Sequence, residues 1–146
     1  MATTHFSGPI TAGDKQAGSV GGSNVGNVVL SQTAVIDQNS TNAVSATFRL
    51  PAESQIVDII VDVLTAFNSG TSATLTVGTA AGGSQYAGSV DAKTAGRVRP
   101  TFSAAQLAAM DDIDTNTSVV ATVTPSGATS AGQVRVTLVY VQTFGE

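Results

Sequence analysis

The chain has 146 residues, 11% of them charged and 42% apolar, and ten acids against six bases give it a net charge of −4. Its length accommodates one domain, its apolar content is too high for a disordered chain, and its acidic balance offers no basic surface to neutralise a nucleic-acid backbone. It has no cysteine, hence no disulfide, thiolate nucleophile or zinc–sulfur site, and its one histidine is His5.

Residues 1–27 read differently from the rest. Phe6-Ser7-Gly8-Pro9-Ile10 leads into a stretch holding Gly13, Gly18, Gly21, Gly22 and Gly26, a glycine density that forfeits too much backbone entropy for a helix. We expect an extended N-terminal arm reaching at most ~90 Å, with Phe6, Pro9 and Ile10 as its docking residues; a solvated terminus is the alternative. No basic cluster and apolar run mark a secretory signal, and no apolar run attains the ~18–20 residues of a membrane span. Neither a membrane nor a nucleic acid is expected as a partner.

Residues 28–146 are expected to form one β-sandwich domain. Residues 28–37 are rich in branched side chains; then Val44, Ala46, Phe48 and Leu50 alternate with Ser45, Thr47 and Arg49, the period of two that a half-buried strand requires. Pro51 closes that strand, since it cannot donate to a ladder. In residues 55–66, Val57, Ile59, Val61 and Val63 are expected on one face and Asp58, Ile60, Asp62 and Leu64 on the other. Asn68-Ser69-Gly70 reads as a turn into a strand over 72–77, followed by a glycine-rich loop over 78–88. A short strand over 95–102 contains Pro100, which places it at an edge. Ser103-Ala104-Ala105-Gln106 has capping-box spacing and predicts the only helix, ending at Asp111-Asp112. Strands over 118–124 and 133–142 follow, the last alternating Val134, Val136, Leu138 and Tyr140 with Arg135, Thr137, Val139 and Val141. Seven or eight strands and one helix predict an all-β fold, an antiparallel β-sandwich of jelly-roll type; a parallel sheet would need crossover helices.

Chemistry-bearing patterns are few. A nucleophilic triad needs a base beside a serine or cysteine, and no Gly-x-Ser-x-Gly occurs. Asp58 and Asp62 share a strand face at ~13 Å, beyond the roughly 5–9.5 Å of glycosidase carboxylate pairs. They are expected to partner Arg49, Arg97, Arg99 or Arg135. Asp112-x-Asp114-x-Asn116 copies the start of a calcium loop, but Thr117 stands where that loop needs glycine and Val123 where it needs a bidentate glutamate. Residues 78–83 lack the Gly-Lys-Ser/Thr of a phosphate loop. No catalytic residue, cofactor or metal is expected. The surplus is in surface: Asp58, Ile60, Asp62, Leu64, Val139 and Val141 lie opposite the faces that a core needs, and are expected to form a subunit interface unless a loop or the arm covers them.

The opening Phe6-Ser7-Gly8-Pro9-Ile10 with its glycine-rich continuation resembles the start of small tailed-bacteriophage virion proteins. So do Leu50-Pro51-Ala52-Glu53-Ser54-Gln55-Ile56-Val57-Asp58-Ile59-Ile60-Val61-Asp62-Val63 and the following Thr65-Ala66-Phe67-Asn68-Ser69-Gly70-Thr71-Ser72-Ala73-Thr74-Leu75-Thr76-Val77-Gly78. The likeness covers the arm and roughly residues 48–90, more loosely the final strands. The family is that of head decoration, or capsid cement, proteins. The resemblance implies a non-enzymatic virion protein on the capsid exterior, made in the host cytoplasm. Its partners would be the major capsid protein and itself, as a homotrimer, with the arm gripping the shell or a neighbouring subunit. A head-fibre base or a glycan-binding adhesin module is the alternative, although aromatics make up only 5% of the chain and tryptophan is absent.

Overall fold

A computed structural model of the protein describes residues 28–113 and 115–142. Eight strands and one helix follow in the order β1 (Val29–Asp37), β2 (Val44–Leu50), β3 (Ser54–Thr65), β4 (Ala73–Gly78), β5 (Ala87–Asp91), β6 (Gly96–Val98), α1 (Ala104–Asp111), β7 (Thr117–Pro125) and β8 (Gln133–Gln142). They form two four-stranded antiparallel sheets, ordered β1-β8-β3-β6 and β2-β7-β4-β5. Successive strands change sheet at the start, and each sheet interleaves early with late strands. This is the double Greek-key order of an eight-stranded jelly roll.

The two sheets close over one apolar layer because alternate residues of every long strand point the same way. From the first sheet come Ile36, Ile59, Val61, Val63, Val134, Val136 and Leu138; from the second come Phe48, Leu50, Leu75, Val77, Val119, Ala121 and Val123, all buried. Each fully buried branched side chain contributes about 1.5–3 kcal/mol. The helix forms as its sequence predicts. Ser103 is the N-cap, its Oγ accepting from Gln106 N while Gln106 Oε1 accepts from Ser103 N at 2.9 Å. Met110 alone of the helix is buried.

Two local expectations are corrected. Val57 is 52% exposed, because β3 shifts register against β8 between Ile56 and Asp58. The bulge flips the strand's phase, so Ile56 rather than Val57 joins Ile59, Val61 and Val63 in the core. Leu64, expected on the outer face, is 46% exposed, beside a second register shift between Val63 and Thr65. Residues 87–91, placed partly in a loop by their glycine and serine content, form β5, whose Ala87 and Val90 are buried.

One end of the sandwich is tied by Asn68. Its Oδ1 accepts from Ser130 N, Ala131 N and Thr129 Oγ1 at 2.9–3.1 Å, joining the β3–β4 connection to the β7–β8 connection. Beside it Gly132 has φ +154, and a Cβ there would lie 2.5 Å from the buried ring of Phe67. Lys93 Nζ donates to Ser69 O and Gly70 O and holds the same turn. Gly132→Ala is therefore expected to destabilise the fold by about 3 kcal/mol, through overpacking plus backbone strain. Gly82→Ala, at φ +76 with open space around it, should cost only about 1 kcal/mol. Urea midpoints that fall equally for both variants would contradict this account.

Candidate functional site

With the inner faces committed to the core, the two outer faces carry what the molecule can present. They differ. The outer side of β2-β7-β4-β5 is largely hydroxyl: Ser45 lies opposite Thr122, and Thr122 opposite Thr76. Ser45 Oγ and Thr122 Oγ1 are 2.8 Å apart, and Gly82 N donates to Thr122 Oγ1 at 2.9 Å, so the 79–86 loop folds over this face and buries Thr122. Gly78 permits that approach, since a Cβ there would meet the Gly83 backbone at 2.6 Å.

The outer side of β1-β8-β3-β6 is built in rows set by strand register. Val35, Arg135, Asp62 and Arg97 form one row across all four strands; Thr33, Thr137 and Ile60 form the next; Ser31, Val139 and Asp58 follow; then Val29, Val141 and Gln55. Asp62 stands between two guanidiniums. Arg97 Nε donates to Oδ1 at 2.6 Å and Nη2 to Oδ2 at 3.1 Å, while Arg135 Nη2 and Nε donate to Oδ2 at 2.6 and 3.1 Å. The hydrogen bonds from Arg97, then those from Arg135, hold the Asp62 carboxyl well below the usual carboxylate range, against the opposing effect of burial. Arg99 Nη1 donates to Asp58 Oδ2 at 2.7 Å, and Asp58 Oδ1 accepts from Ile59 N. Three expected arginine partners are thus in place, and Arg49 is not among them.

The structure brings Asp58, Ile60, Asp62 and Val139 onto this one face, with Leu64 at its rim. Asp62 and Val141 differ from their expected role in one respect: they are 7% and 8% exposed, so they support the face rather than present themselves on it. On β1 the face adds two exposed apolar side chains, Val29 at 60% and Val35 at 50%, that the sequence pattern does not single out. Their signal was available only as valines at outward positions of a strand whose inward positions are Leu30, Gln32, Ala34 and Ile36. Phe6, Pro9 and Ile10 lie outside the described residues, as does Asp114. Asn116, the third position of the incomplete calcium motif, instead accepts from Ala52 N at 3.0 Å.

Other surface features offer less. A hollow of about 410 Å³ is lined by Arg49, Leu50, Pro51, Asn116, Thr117 and Ser118, and one of about 450 Å³ by Ser84, Gln85, Ser103, Ala105, Gln106 and Ala109. Neither gathers an acid, a base and a nucleophile. Among the described residues no three His, Cys, Asp or Glu side chains group as metal ligands, and no helix is long and apolar enough to cross a membrane. No protein-family model, curated protein or solved structure matches the chain.

The Asp62 carboxyl is ionised far below the pH at which its unfolded counterpart takes up a proton, near 3.9. Its contribution to stability is therefore complete at neutral pH and is lost as pH falls below about 4. Asp62→Asn should lower the urea midpoint at pH 7, and its deficit relative to the unsubstituted protein should shrink between pH 4 and pH 2. A deficit that is constant over that range would show that Asp62 acts by shape rather than by charge.

Proposed function

We propose that the protein is a structural virion component that decorates and stabilises a tailed-phage capsid by bridging adjacent major capsid subunits. The observation that carries this reading is the outer face of β1-β8-β3-β6, where apolar side chains are interleaved with ion pairs that fix their surroundings. A face of this kind adheres to another surface rather than enclosing a small molecule. The resemblance of residues 1–27 and 48–90 to head decoration proteins supports the same reading. So does the jelly-roll order, which recurs in viral capsid domains, though as fold-level analogy alone. Three copies in a homotrimer would turn weak contacts into strong ones, because the second and third engagements are effectively intramolecular.

Jelly rolls also serve as lectins, and a glycan-binding module is the second reading. Among the described residues it lacks support from the aromatic side chains, which sugars use as stacking platforms. Tyr86, Tyr140, Phe48 and Phe67 are all buried, and Phe102 packs against the core.

The full chain is expected to co-sediment saturably with tailed-phage heads stripped of their own decoration protein. Deleting residues 1–27 should weaken that binding by at least 100-fold, in line with loss of one arm of a multivalent attachment, while far-UV circular dichroism stays unchanged. Full binding by the truncated chain would remove the arm from the mechanism, and failure on every head tested, with specific saturable hits on a glycan array, would favour the second reading.

A further inference from the structure

Two open sheets leave four edge strands, and an unprotected edge is a template for pairing with another chain. Three of these edges are blunted. β6 has three residues, begins at Gly96 with φ +136, and is followed within two residues by Pro100. β5 has five residues, carries Ser89 at φ 54, and pairs irregularly with β4. β2 is bridged from the neighbouring sheet at Arg49: Gln32 Nε2 donates to Arg49 O at 2.7 Å, and Gln32 Oε1 accepts from Arg49 N at 3.3 Å.

β1 has none of these devices. It runs nine residues with no glycine, proline, lysine or arginine, pairs with β8 without a register shift, and has β8 as its one strand partner among the described residues. The direction of its backbone groups follows from one bond. Gln38 N donates to Gly132 O, the next pair beyond Asp37 and Gln133 in the same register. In an antiparallel ladder hydrogen-bonded pairs alternate with non-bonded ones. Even-numbered residues of β1 therefore aim their N–H and C=O at β8, and Ser31, Thr33 and Val35 aim theirs away from it. The side chains of those same residues lie on the outer face, beside exposed Val29.

We propose that this edge is completed by β1 of a second copy of the chain, antiparallel and centred on Thr33, to give a continuous eight-stranded sheet across a two-fold axis. Pairing Thr33 with Thr33 of the second copy is the register that overlaps all nine residues. It forms a hydrogen-bonded pair at the centre, since both N–H and C=O of Thr33 point outward. Charge agrees with it: Asp37 is the strand's only ionisable residue, and this register sets it opposite Val29, with the two Asp37 carboxylates roughly 27 Å apart. Val35 falls opposite Ser31, so on the outer face no like charges and no two bulky side chains face each other across the axis. An isologous contact of this kind closes on itself and does not propagate into a filament.

Sedimentation of the full chain tests this independently of any capsid. The expected species has an even number of copies: a dimer or, where the homotrimer of the proposed function also forms, a hexamer of two trimers joined through this edge. Thr33→Lys and Thr33→Asp should each halve its mass at the same concentration, because like charges then face each other across the axis, and mixing the two variants should restore it. Thr33→Pro should also halve the mass while leaving the β8 pairing intact, since the amide it removes points away from β8. A monomer at every concentration, or an odd-numbered oligomer that the substitutions leave unchanged, overturns the proposal. So do single variants that dissociate but fail to recombine when mixed. Protection of the Thr33 amide from hydrogen exchange in a monomer would assign the edge to residues 1–27 and overturn it as well. Capsid binding could survive any of these results.

Discussion

Closing two four-stranded sheets over one apolar layer is the constraint from which the rest of the molecule follows. Every long strand must give alternate residues to the interior, and a slip of one residue would turn its whole apolar set outward. β8 meets this condition from end to end, with Val134, Val136, Leu138 and Tyr140 buried and the intervening residues on the outside. β3 meets it only by inserting an extra residue at Val57, which restores Ile56 to the core. The outer faces are the remainder after this demand is satisfied, and their composition is free to serve something other than folding. On one side that freedom is used for hydroxyls and a covering loop. On the other it is used for Ile60, Val139 and Val35, set among arginines and aspartates whose geometry is fixed.

Fixing that geometry has a consequence for adhesion. A surface loses side-chain freedom when it docks, at about 0.5–1.5 kcal/mol for each immobilised long side chain. Arg97, Arg99 and Arg135 are exposed yet already held by Asp62 and Asp58, so part of that loss is incurred on folding rather than on binding. The pairs are worth little to the stability of the fold where they face solvent. Their larger effect is to orient: the two guanidiniums on Asp62 tie β6 and β8 to β3 and keep the rows of the face in register. Under the proposed role, this face is a preorganised adhesive patch.

The sequence made the strands legible where one face is polar, because there the period of two is unambiguous. β2 and β8 could be read residue by residue, and Ser103 with Gln106 announced the helix. Legibility failed where the signal is not local. The bulge at Val57 leaves an uninterrupted apolar-looking alternation in the sequence, and only pairing with β8 reveals the phase change. β5 is short and contains glycine and serine, so its strand character comes from burial of Ala87 and Val90 rather than from propensity. The face of ion pairs was half legible. Asp58 and Asp62 were read as partners for arginines, but which arginines depends on β6 lying beside β3, a long-range pairing that no local pattern encodes.

The same long-range topology decides where the molecule is open to company. In a jelly roll the first strand lies at the edge of its sheet, beside the last. Among the described residues β1 is regular on its β8 side and unadorned on the other, while the remaining edges are shortened, kinked or bridged by Gln32. Protection applied to three edges and withheld from the fourth is not what uniform drift would leave, since an exposed nine-residue edge invites aggregation and is ordinarily charged or broken. Under the proposal, this edge is kept flat because its partner is part of the native assembly. The partner best matched in length, in charge placement and in its own unpaired backbone is the same strand in another copy.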